Sequence, residues 1–457
     1  MQKKKVGLPK GTRDFGPLEM RKRNHILEII KNTYKKYGFD QIETPSMENL
    51  DVLTGKYGDE GDQLLYKILD SGNFLSNVNQ EDIKDGYKPL TSKIASKGLR
   101  YDLTVPFARY VANNINELAL PFKRFQVQPV WRADRPQKGR YREFYQCDAD
   151  IVGSDSLIYE AEIILIIKDV LSQLKINDYS IKLNNRKILS SFAAAIKVTD
   201  KETDLFVAID KLDKIGIDKV VEELEVKRFT KEQQLAVKEL LSKKGNTSDL
   251  LDYIEKYFTA QSASLEGVEE LKELFSLLKT YDYTDSNLEL DFTLARGLSY
   301  YTGTILEIKV NNASIGSISG GGRYDNLTER MGVDNVSGIG FSFGIDRIYD
   351  VMTELNLFAN FESTNTKILI THFDKESLTY GCKIAQTCRE NNIACEIYPD
   401  IVKIKKQFQY ANKKGIPYVI TIGSDEMASG ELTLKNMLSG EQKKGTLTQL
   451  IEEYKKD

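Results

Sequence analysis

The sequence predicts an α+β protein in which an all-helical segment interrupts a β-rich part with flanking helices, and a separate α/β domain follows. Three observations lead to this fold class. Two runs of alternating residues flank a basic loop within residues 123–153, which is the pattern of a β-hairpin. Residues 185–279 show only helical patterns, with charges on three sides. Beyond residue 366, apolar strand-like runs alternate with helical stretches, which indicates a partly parallel sheet.

The elements of the β-rich part follow from periodicity and from turn residues. A helix is expected over residues 20–37, because apolar residues recur at helical spacing and Gly38 follows as a C-terminal signal. The next run, FDQIETP, predicts a strand that ends at Pro45, and the polar residues 71–97 predict a surface loop. Further elements are expected as short strands at 66–69 and 99–104 and as helices at 104–119 and 158–174.

Composition bounds the class of protein. The chain has 457 residues, 41% hydrophobic and 29% charged, with a net charge of −3, which describes a globular protein of two or three domains. Because no global basic field exists, any contact with nucleic acid must come from local patches. The basic N-terminus lacks an apolar segment of a secretory signal, and no run has the length of a membrane span, so we expect a cytoplasmic protein without membrane contact.

Cysteine and histidine usage excludes two kinds of site. The four cysteines lack the spacing of metal ligands, and we interpret them as structural. Only two histidines occur, His25 within a helical pattern and His372 at the end of an apolar run. A multi-histidine metal site is therefore excluded, and a histidine general base is not expected.

Composition also predicts the domain boundaries, with a shift near residues 356–366 that marks a linker. The predicted divisions are the first part of the larger domain at 1–184, the helical insertion at 185–279, its second part at 280–355, the linker at 356–365 and the C-terminal α/β domain at 366–457.

The hairpin around the basic loop is the most informative feature. A face that carries arginine, an aromatic ring, an amide and carboxylates cannot be ordinary core, because unpaired buried charge is too costly. It indicates the floor of a polar ligand site with a phosphate-sized anion above it. A solvated hairpin with a charged tip is the alternative. On the second strand this face comprises Arg142, Phe144, Gln146, Asp148 and Asp150, and on the first Arg132, Val130, Gln128 and Gln126.

Small residues line one face of a second run, SGIGFSFGIDR at 337–347. Gly338, Gly340, Ser342 and Gly344 share that face, which would leave a flat floor where a planar ring can approach the backbone. Arg347 follows at the junction of strand and helix, where it could stack on such a ring or reach a phosphate. Tight packing of a helix against the strand is the alternative.

Three more segments combine glycine or arginine with polar residues. They are LRYDLT, LARGLSYYTG and SGGGRYD, and each alone could be a turn or a surface segment whose polar groups are hydrogen-bonded. Together with the two runs above, they form five such segments on a β-rich scaffold, which is far less expected by chance. The residues singled out in them are Asp102, Thr104, Arg296, Tyr300, Tyr301, Arg323 and Tyr324.

These motifs resemble those of a known family. FKRFQVQPVWRADRPQKGRYREFYQ resembles motif 2 of class II aminoacyl-tRNA synthetases, the run that ends in ETP at residue 45 is similar to motif 1, and GIGFSFGIDR is similar to motif 3. LARGLSYY and SGGGRYDNL resemble two signature peptides of histidyl-tRNA synthetases, and KGTRD and QFQYANKKGIPYVITIG fit the same family. The resemblance spans nearly the whole chain and is weakest across residues 71–97 and the helical segment.

The resemblance implies a fold and an activity. The fold would be the class II synthetase antiparallel sheet of six strands with flanking helices and a helical insertion, plus a C-terminal α/β anticodon-binding domain. The activity would be that of a ligase that converts L-histidine and ATP to histidyl-adenylate and pyrophosphate, and then transfers histidine to the 3′ end of tRNA(His). Mg²⁺ would accompany ATP without dedicated protein ligands, and the chain would form a homodimer through motif 1.

The resemblance also assigns roles to residues. Asp102, Thr104 and Gln146 would hold the α-amino group of histidine, while Asp150 and Tyr301 bracket the imidazole and Tyr300 and Tyr324 line the pocket. Arg132 and Arg296 would be catalytic, near the α-phosphate and the histidine carboxylate. Adenine would lie between Phe144 and Arg347, with Asp134 and Arg140 as further ATP contacts. Ser299 departs from the Asp that many members carry, which leaves one helper contact open.

Two other functions and one interface stay open at this level. The chain could be a catalytically silent regulatory subunit of histidine biosynthesis, or a class II synthetase for threonine, proline or glycine. Residues 366–457 contain 14 Lys and Arg against 12 Asp and Glu, so a tRNA contact there must be local. The candidate residues are Lys403, Lys405, Lys406, Lys413 and Lys414, with a solvated amphipathic helix as the alternative.

Overall fold

The computed structural model describes residues 6–54, 62–84, 86–137, 139–283, 287–295, 301–326, 328–359 and 361–455. The chain divides into two compact units. The larger unit comprises the residues up to Asp14 together with Arg23–Leu357, and the smaller unit comprises Phe15–Lys22 and Phe358–Asp457. No described helix is long and apolar enough to cross a membrane.

An eight-stranded sheet, counted over the described residues, forms the centre of the larger unit. Its order is β1-β5-β6-β11-β10-β9-β7-β8. The six inner strands pair antiparallel, which confirms the sheet that the resemblance implies. The two short outer strands pair parallel with their neighbours, so they extend the sheet beyond the six antiparallel strands that the resemblance implies. The strands are β1 (Asp40–Gln41), β5 (Phe122–Trp131), β6 (Glu143–Val152), β7 (Tyr179–Asn185), β8 (Leu288–Leu290), β9 (Thr304–Val310), β10 (Ser317–Tyr324) and β11 (Gly338–Gly344).

One face of this sheet is apolar core. Tyr34 of the first helix is fully buried and donates a hydrogen bond to the carbonyl of Cys147 at 2.7 Å. Its ring packs against Phe125 of β5 and Phe341 and Phe343 of β11. Since side chains alternate along strands, the neighbouring polar residues of β6 and β11 face the opposite side. The helices next to the sheet are α1 (Pro17–Lys36), α5 (Thr104–Asn114), α6 (Ile158–Gln173) and α14 (Ile345–Glu354).

The polar stretch at 71–97 contains helices, so the expectation of a surface loop was wrong for much of it. Asn79 and Asp82 exchange backbone-to-side-chain hydrogen bonds, with Asp82 accepting from the Asn79 amide at 2.8 Å. Polar residues here therefore cap a helix instead of marking a loop. The described residues between 47 and 99 hold α2 (Leu50–Leu53), α3 (Gln80–Lys84), α4 (Tyr87–Ile94) and a three-stranded sheet of β2 (Met47–Asn49), β3 (Lys67–Ile68) and β4 (Lys97–Leu99).

The segment between β7 and β8 is helical, as its periodicity predicts. Its helices bury leucine, isoleucine and phenylalanine on one face each and carry charges outside. They are α7 (Arg186–Ala195), α8 (Glu202–Asp210), α9 (Leu212–Ile215), α10 (Ile217–Val226), α11 (Lys231–Ser242), α12 (Thr247–Ala260) and α13 (Glu266–Thr280). The division into units does not separate this segment from the sheet, so its standing as an inserted domain stays a prediction.

The smaller unit has a partly parallel sheet of order β13-β12-β14-β15-β16, as expected. The first three strands pair parallel and the last two pairings are antiparallel. The strands are β12 (Ile368–His372), β13 (Cys395–Ile397), β14 (Tyr418–Ile422), β15 (Leu432–Asn436) and β16 (Gln442–Gly445). The helices are α15 (Lys375–Glu390), α16 (Ile404–Lys414), α17 (Ser424–Ser429) and α18 (Leu447–Tyr454).

Candidate active site

A cavity of about 650 Å³ lies on the polar face of the large sheet. Strands β6, β9, β10 and β11 contribute to it, together with the turn before α5, the loop between β5 and β6 and the start of α14. The candidate residues that line it are Asp102, Thr104, Arg132, Asp134, Arg140, Phe144, Gln146, Asp150, Tyr301, Tyr324 and Arg347. Arg296 and Tyr300 lie outside the described residues, so the structure gives no position for them.

At one end of the cavity, Asp150 is held by two buried partners. Arg124 on the neighbouring strand lies with Nη2 at 2.6 Å from Asp150 Oδ2, and both side chains are almost fully buried. Tyr324 donates a hydrogen bond to Asp150 Oδ1 at 2.7 Å. Burial raises the pKa of Asp150, while the charge of Arg124 lowers it. The end therefore presents an oriented carboxylate and a phenol to a ligand.

Arg124 is a site residue that the sequence reasoning missed. In the sequence it is one of several basic residues near the loop. In the structure its guanidinium is fully buried and lies 4.1 Å from the centroid of the Phe107 ring. The signal was its place directly across from Asp150 in the hairpin register, where opposite charges pair.

Glycines of β11 make room for this arrangement. A Cβ at Gly340 would overlap the Asp150 carboxylate, and a Cβ at Gly338 would lie 2.6 Å from the Tyr324 ring. The small-residue face was predicted to leave a flat floor for a planar ring. At these two positions, protein side chains occupy the space where a Cβ would lie, although Gly340 lines the cavity together with Ser342 and Gly344.

The middle of the cavity carries amide and carboxylate groups on β6. Gln146 donates from Nε2 to Ser342 Oγ at 3.1 Å. Asp102 Oδ1 accepts from the backbone amide of Val105 at 3.1 Å and thus caps the start of α5, where Thr104 is the first residue. The strand predicted at 99–104 was wrong around these two residues, because the chain turns into the helix here, yet both Asp102 and Thr104 line the cavity.

Asp148, on the same strand, is 2% exposed and lines the cavity too. Burial raises its pKa to about 7, with Arg124 opposing the shift and Asp150 adding to it. A carboxylate whose folded-state pKa is raised favours folding most at low pH, and that contribution is lost as the pH rises through the folded-state value. Asp148 is therefore expected to destabilise the unliganded protein at neutral and higher pH.

This yields a prediction for Asp148→Asn, which removes the buried charge. We expect the melting temperature of the variant to exceed that of the wild type more at pH 8 than at pH 5. At pH 8 the free energy of unfolding should be larger in the variant by about 1–4 kcal/mol. Each unit of pKa shift corresponds to about 1.4 kcal/mol, and rearrangement of neighbouring charges reduces the effect. Thermal unfolding at the two pH values measures this, with the exposed Asp252→Asn as control. An equal difference at both pH values would contradict it.

Cationic groups gather at the other end of the cavity. Arg132 donates from Nε to the carbonyl of Tyr101 at 3.0 Å, and its guanidinium lies 4.2 Å from the Tyr101 ring centroid and 5.2 Å from that of Phe144. Arg347 donates to the carbonyls of Gly139 at 3.1 Å and Ser317 at 2.5 Å, so it joins the loop to β10. The hydrogen bond to the Tyr101 carbonyl thus orients the Arg132 side chain, which lines the cavity.

The loop between β5 and β6 supplies a charged pair at the same end. Arg140 Nη1 lies 3.9 Å from Asp134 Oδ1, with the arginine about half exposed. Such a pair contributes little to stability because solvent screens it. Arg140 can therefore exchange this partner for a bound anion at small cost.

Four residues predicted for the cavity floor do not line it: Arg142, Gln126, Gln128 and the fully buried Val130. Arg142 precedes β6, and its Nε donates to the carbonyl of Asp134 at 3.0 Å. Gln126 donates to Thr44 Oγ1 at 2.7 Å, and Gln128 accepts from the Thr44 amide at 3.2 Å. The segment around Thr44 covers this part of β5. Gln126 and Gln128 therefore lie on the predicted face of the strand, but that face is not open to the cavity.

The candidate tRNA-binding lysines separate into two groups at the ends of α16. Lys403, Lys405 and Lys406 lie at its start, where they are exposed. Lys413 and Lys414 lie at its end, about 15 Å away for an 11-residue helix. Lys414 forms an ion pair with Glu396. The structure therefore does not bring all five lysines together.

A mostly antiparallel sheet that carries arginines at one end of its cavity and a carboxylate–tyrosine pair at the other has the architecture that the sequence motifs imply for a class II aminoacyl-tRNA synthetase. Comparisons specify the family. A family model described as histidyl-tRNA synthetase matches residues 11–77 and 75–348, and one described as anticodon binding domain matches residues 365–457.

Known proteins agree with these matches. The histidine–tRNA ligase of Cytophaga hutchinsonii is 54% identical over 98% of this chain and 99% of that protein. The histidine–tRNA ligase of Porphyromonas gingivalis is 50% identical over 96% of each. A crystal structure of histidyl-tRNA synthetase from Nostoc sp. PCC 7120 matches with a TM-score of 0.84 and 30% identity, covering 99% of this chain and 100% of that one. The chain belongs to the histidyl-tRNA synthetase family and is an enzyme.

A fourth comparison bears on the silent alternative. A Bacillus halodurans structure titled as an ATP phosphoribosyltransferase regulatory subunit/histidyl-tRNA synthetase matches with a TM-score of 0.73 but 19% identity. At that identity the likeness supports the fold alone, whereas relatives named as ligases reach about half identity over nearly the full chain.

Proposed function

We propose that this chain activates L-histidine with ATP in the cavity on the large sheet and transfers the activated histidine to the 3′ end of tRNA(His). The observation that carries the proposal is the polarity of the cavity. Arg132 and Arg347 line the same cavity as the buried Asp150–Tyr324 pair. A nucleotide phosphate and an imidazole-bearing amino acid thus have complementary ends in one space.

Histidine binds at the carboxylate end in this proposal. Asp150 accepts from one imidazole nitrogen, and a tyrosine hydroxyl from Tyr301 satisfies the other, with Tyr300 and Tyr324 completing the pocket. Asp102, Thr104 and Gln146 hold the α-amino group. An amino acid that lacks the ring nitrogens would leave these buried groups unpaired, which is the way such sites discriminate strongly.

ATP binds at the cationic end. Adenine lies between Phe144 and Arg347, and Arg132 and Arg296 contact the α-phosphate and the histidine carboxylate. Asp134 and Arg140 add contacts from the loop. The residues present fit Mg²⁺, because the carboxylates of Asp134 and Glu307 line the cavity and would hold the ion together with the substrate phosphates. When bound, the ion would neutralise negative charge on the phosphates.

The chemistry follows from this placement. The histidine carboxylate attacks the α-phosphorus in line, a phosphorus–oxygen bond to pyrophosphate breaks, and arginine side chains stabilise the charge that develops. A ribose hydroxyl of the tRNA end then attacks the acyl carbon, and AMP leaves. Neither His25 nor His372 lines the cavity, so we propose that the phosphate of the adenylate or a fixed carboxylate accepts the hydroxyl proton.

The test is ATP–pyrophosphate exchange against a panel of amino acids. We expect exchange with histidine and none of comparable rate with threonine, proline or glycine. Absence of exchange with histidine would contradict the proposal, and exchange with another member of the panel would identify a different synthetase.

A separate prediction concerns the tRNA contact in the smaller unit. Charge reversal by Lys405→Glu together with Lys406→Glu should raise the KM for tRNA about tenfold or more, because phosphate contacts supply much of nucleic-acid affinity. ATP–pyrophosphate exchange should stay unchanged. The matched control is Lys383→Glu on α15. Loss of exchange in the double variant, or an equal effect of the control, would count against the assignment.

The homodimer, which the resemblance implies, and the cytoplasmic location, which the sequence features predict, both remain predictions. Sedimentation equilibrium of the full chain measures the first, with about 104 kDa expected for two copies of the 52.0 kDa chain.

A further inference from the structure

The cavity floor carries one more carboxylate than the roles above require. Asp148 lies on β6 between Gln146 and Asp150, is 2% exposed and lines the cavity. Ser342 forms a hydrogen bond with its carboxylate, whereas Oδ1 has no hydrogen-bond partner among the described residues. A buried charged oxygen without a partner is costly, so this oxygen indicates a missing ligand.

Charge at the floor favours a cation as that ligand. Asp148 lies close to two further carboxylates, and Arg124 is the cation that most strongly opposes them. The charged and titratable groups that face Asp148 from the adjoining elements are Arg124 on β5, Arg100 after β4, Asp102 before α5, Asp150 on its own strand and Tyr34 of α1. Arg100 donates to the carbonyls of Thr44 and Pro129, and it is not among the groups with the largest effect on Asp148.

Hydrogen-bonding capacity narrows the class of cation. Gln146 Oε1 is a second buried acceptor without a partner in the described part of the chain, and it faces the same side of β6 two residues away. An ammonium group supplies three donors, enough for both oxygens. No group of three or more His, Cys, Asp or Glu side chains in the described ranges is arranged to hold a metal ion. A primary ammonium therefore fits both the charge and the two acceptors of this place.

We propose that Asp148 is a further substrate-binding residue, whose Oδ1 accepts a hydrogen bond from the α-ammonium of the amino-acid substrate beside Gln146. This inference rests on the proposed function and names a contact that its residue roles leave out. Asp148 thus has a different role from Asp150, which Arg124 and Tyr324 hold at the imidazole end. Because a bound ammonium lowers the pKa of Asp148 from its value in the empty site, binding near pH 7 releases a proton.

The test is calorimetric binding of three ligands to the full-length wild type and Asp148→Asn. They are histidine, histidinol, which keeps the ammonium but lacks the carboxylate, and 3-(imidazol-4-yl)propionate, which lacks the ammonium. The variant should bind histidine and histidinol about 10- to 100-fold more weakly and the propionate with unchanged affinity. Titrations in two buffers of different ionisation enthalpy should show proton release with histidinol in the wild type and less in the variant.

Each other result contradicts the inference. Equal weakening of all three ligands would place Asp148 at the imidazole end or in a structural role, and unchanged affinity for histidinol would remove it from the site. A variant that fails to fold would also contradict it, because the substitution removes a buried charge. Asp252→Asn is the matched control. A wild type that binds none of the three would overturn the proposed function itself, which distinguishes the two failures.

Discussion

Replacing Arg132 by Gln is expected to lower kcat for ATP–pyrophosphate exchange about a thousandfold. Its guanidinium is oriented by the Tyr101 carbonyl and faces the cavity beside the Phe144 ring. A positioned charge that meets the developing negative charge at phosphorus is worth about 10²–10³ in rate when it is removed. Since the side chain would also contact the histidine carboxylate, the KM for histidine should rise as well.

The matched control for this variant is Arg135→Gln. Arg135 belongs to the same loop, is exposed and does not line the cavity. Exchange in the control should stay near the wild-type rate. An Arg132→Gln variant that folds normally and keeps a substantial part of its exchange activity would remove Arg132 from the catalytic role.

Replacing Arg124 by Met is expected to destabilise the protein by about 3–5 kcal/mol, because it leaves a buried carboxylate without its counter-charge. The pKa of Asp150, already raised by burial, would rise further. The protonated acid is tolerated in the interior, so the loss of stability should be smallest at low pH and grow as the pH rises through the folded-state pKa. Chemical denaturation of the wild type and the variant at pH 5 and pH 8 measures this.

A double-mutant cycle sharpens the prediction. Arg124→Met combined with Asp150→Asn removes both charges, and the double variant should lose less stability than the sum of the two single losses. Simple additivity would show that the pair at 2.6 Å does not act as a unit. Arg135→Met, an exposed change of the same kind, should alter stability within about 0.5 kcal/mol.

Much of the fold follows from periodicity, and its errors have local causes. The strands β5, β6 and β11 carry alternation over much of their length, and the structure has them as neighbours. The polar residues at 79–82 predict a loop, but in the structure they cap helix α3. Such residues cap a helix as readily as they form a turn, so the pattern does not distinguish the two. The short strands β15 and β16 were not predicted, because their sequences LTLKN and QKKG contain too few apolar residues to show a strand periodicity.

The candidate site was predictable where residue type and strand face agree. Phe144, Gln146 and Asp150 alternate on β6 and line the cavity as expected. Gln126 and Gln128 obey the same alternation on β5 but are covered by the segment around Thr44, a tertiary contact that no local pattern encodes.

Two informative residues needed the structure. Arg124 looked like part of a basic surface, and only the hairpin register places it opposite Asp150. Asp148 fitted the polar face without a role, and only its burial and its unpartnered oxygen single it out.

Binding of a stable histidyl-adenylate analogue, in which a sulfamoyl group replaces the phosphate, tests most directly whether both substrates meet in this one cavity. The analogue should inhibit exchange competitively against ATP and against histidine. Both Arg132→Gln and Asp150→Asn should weaken its binding, since each removes a contact at one end. Competition with only one substrate, or binding that neither substitution changes, would contradict a shared cavity for histidine and ATP.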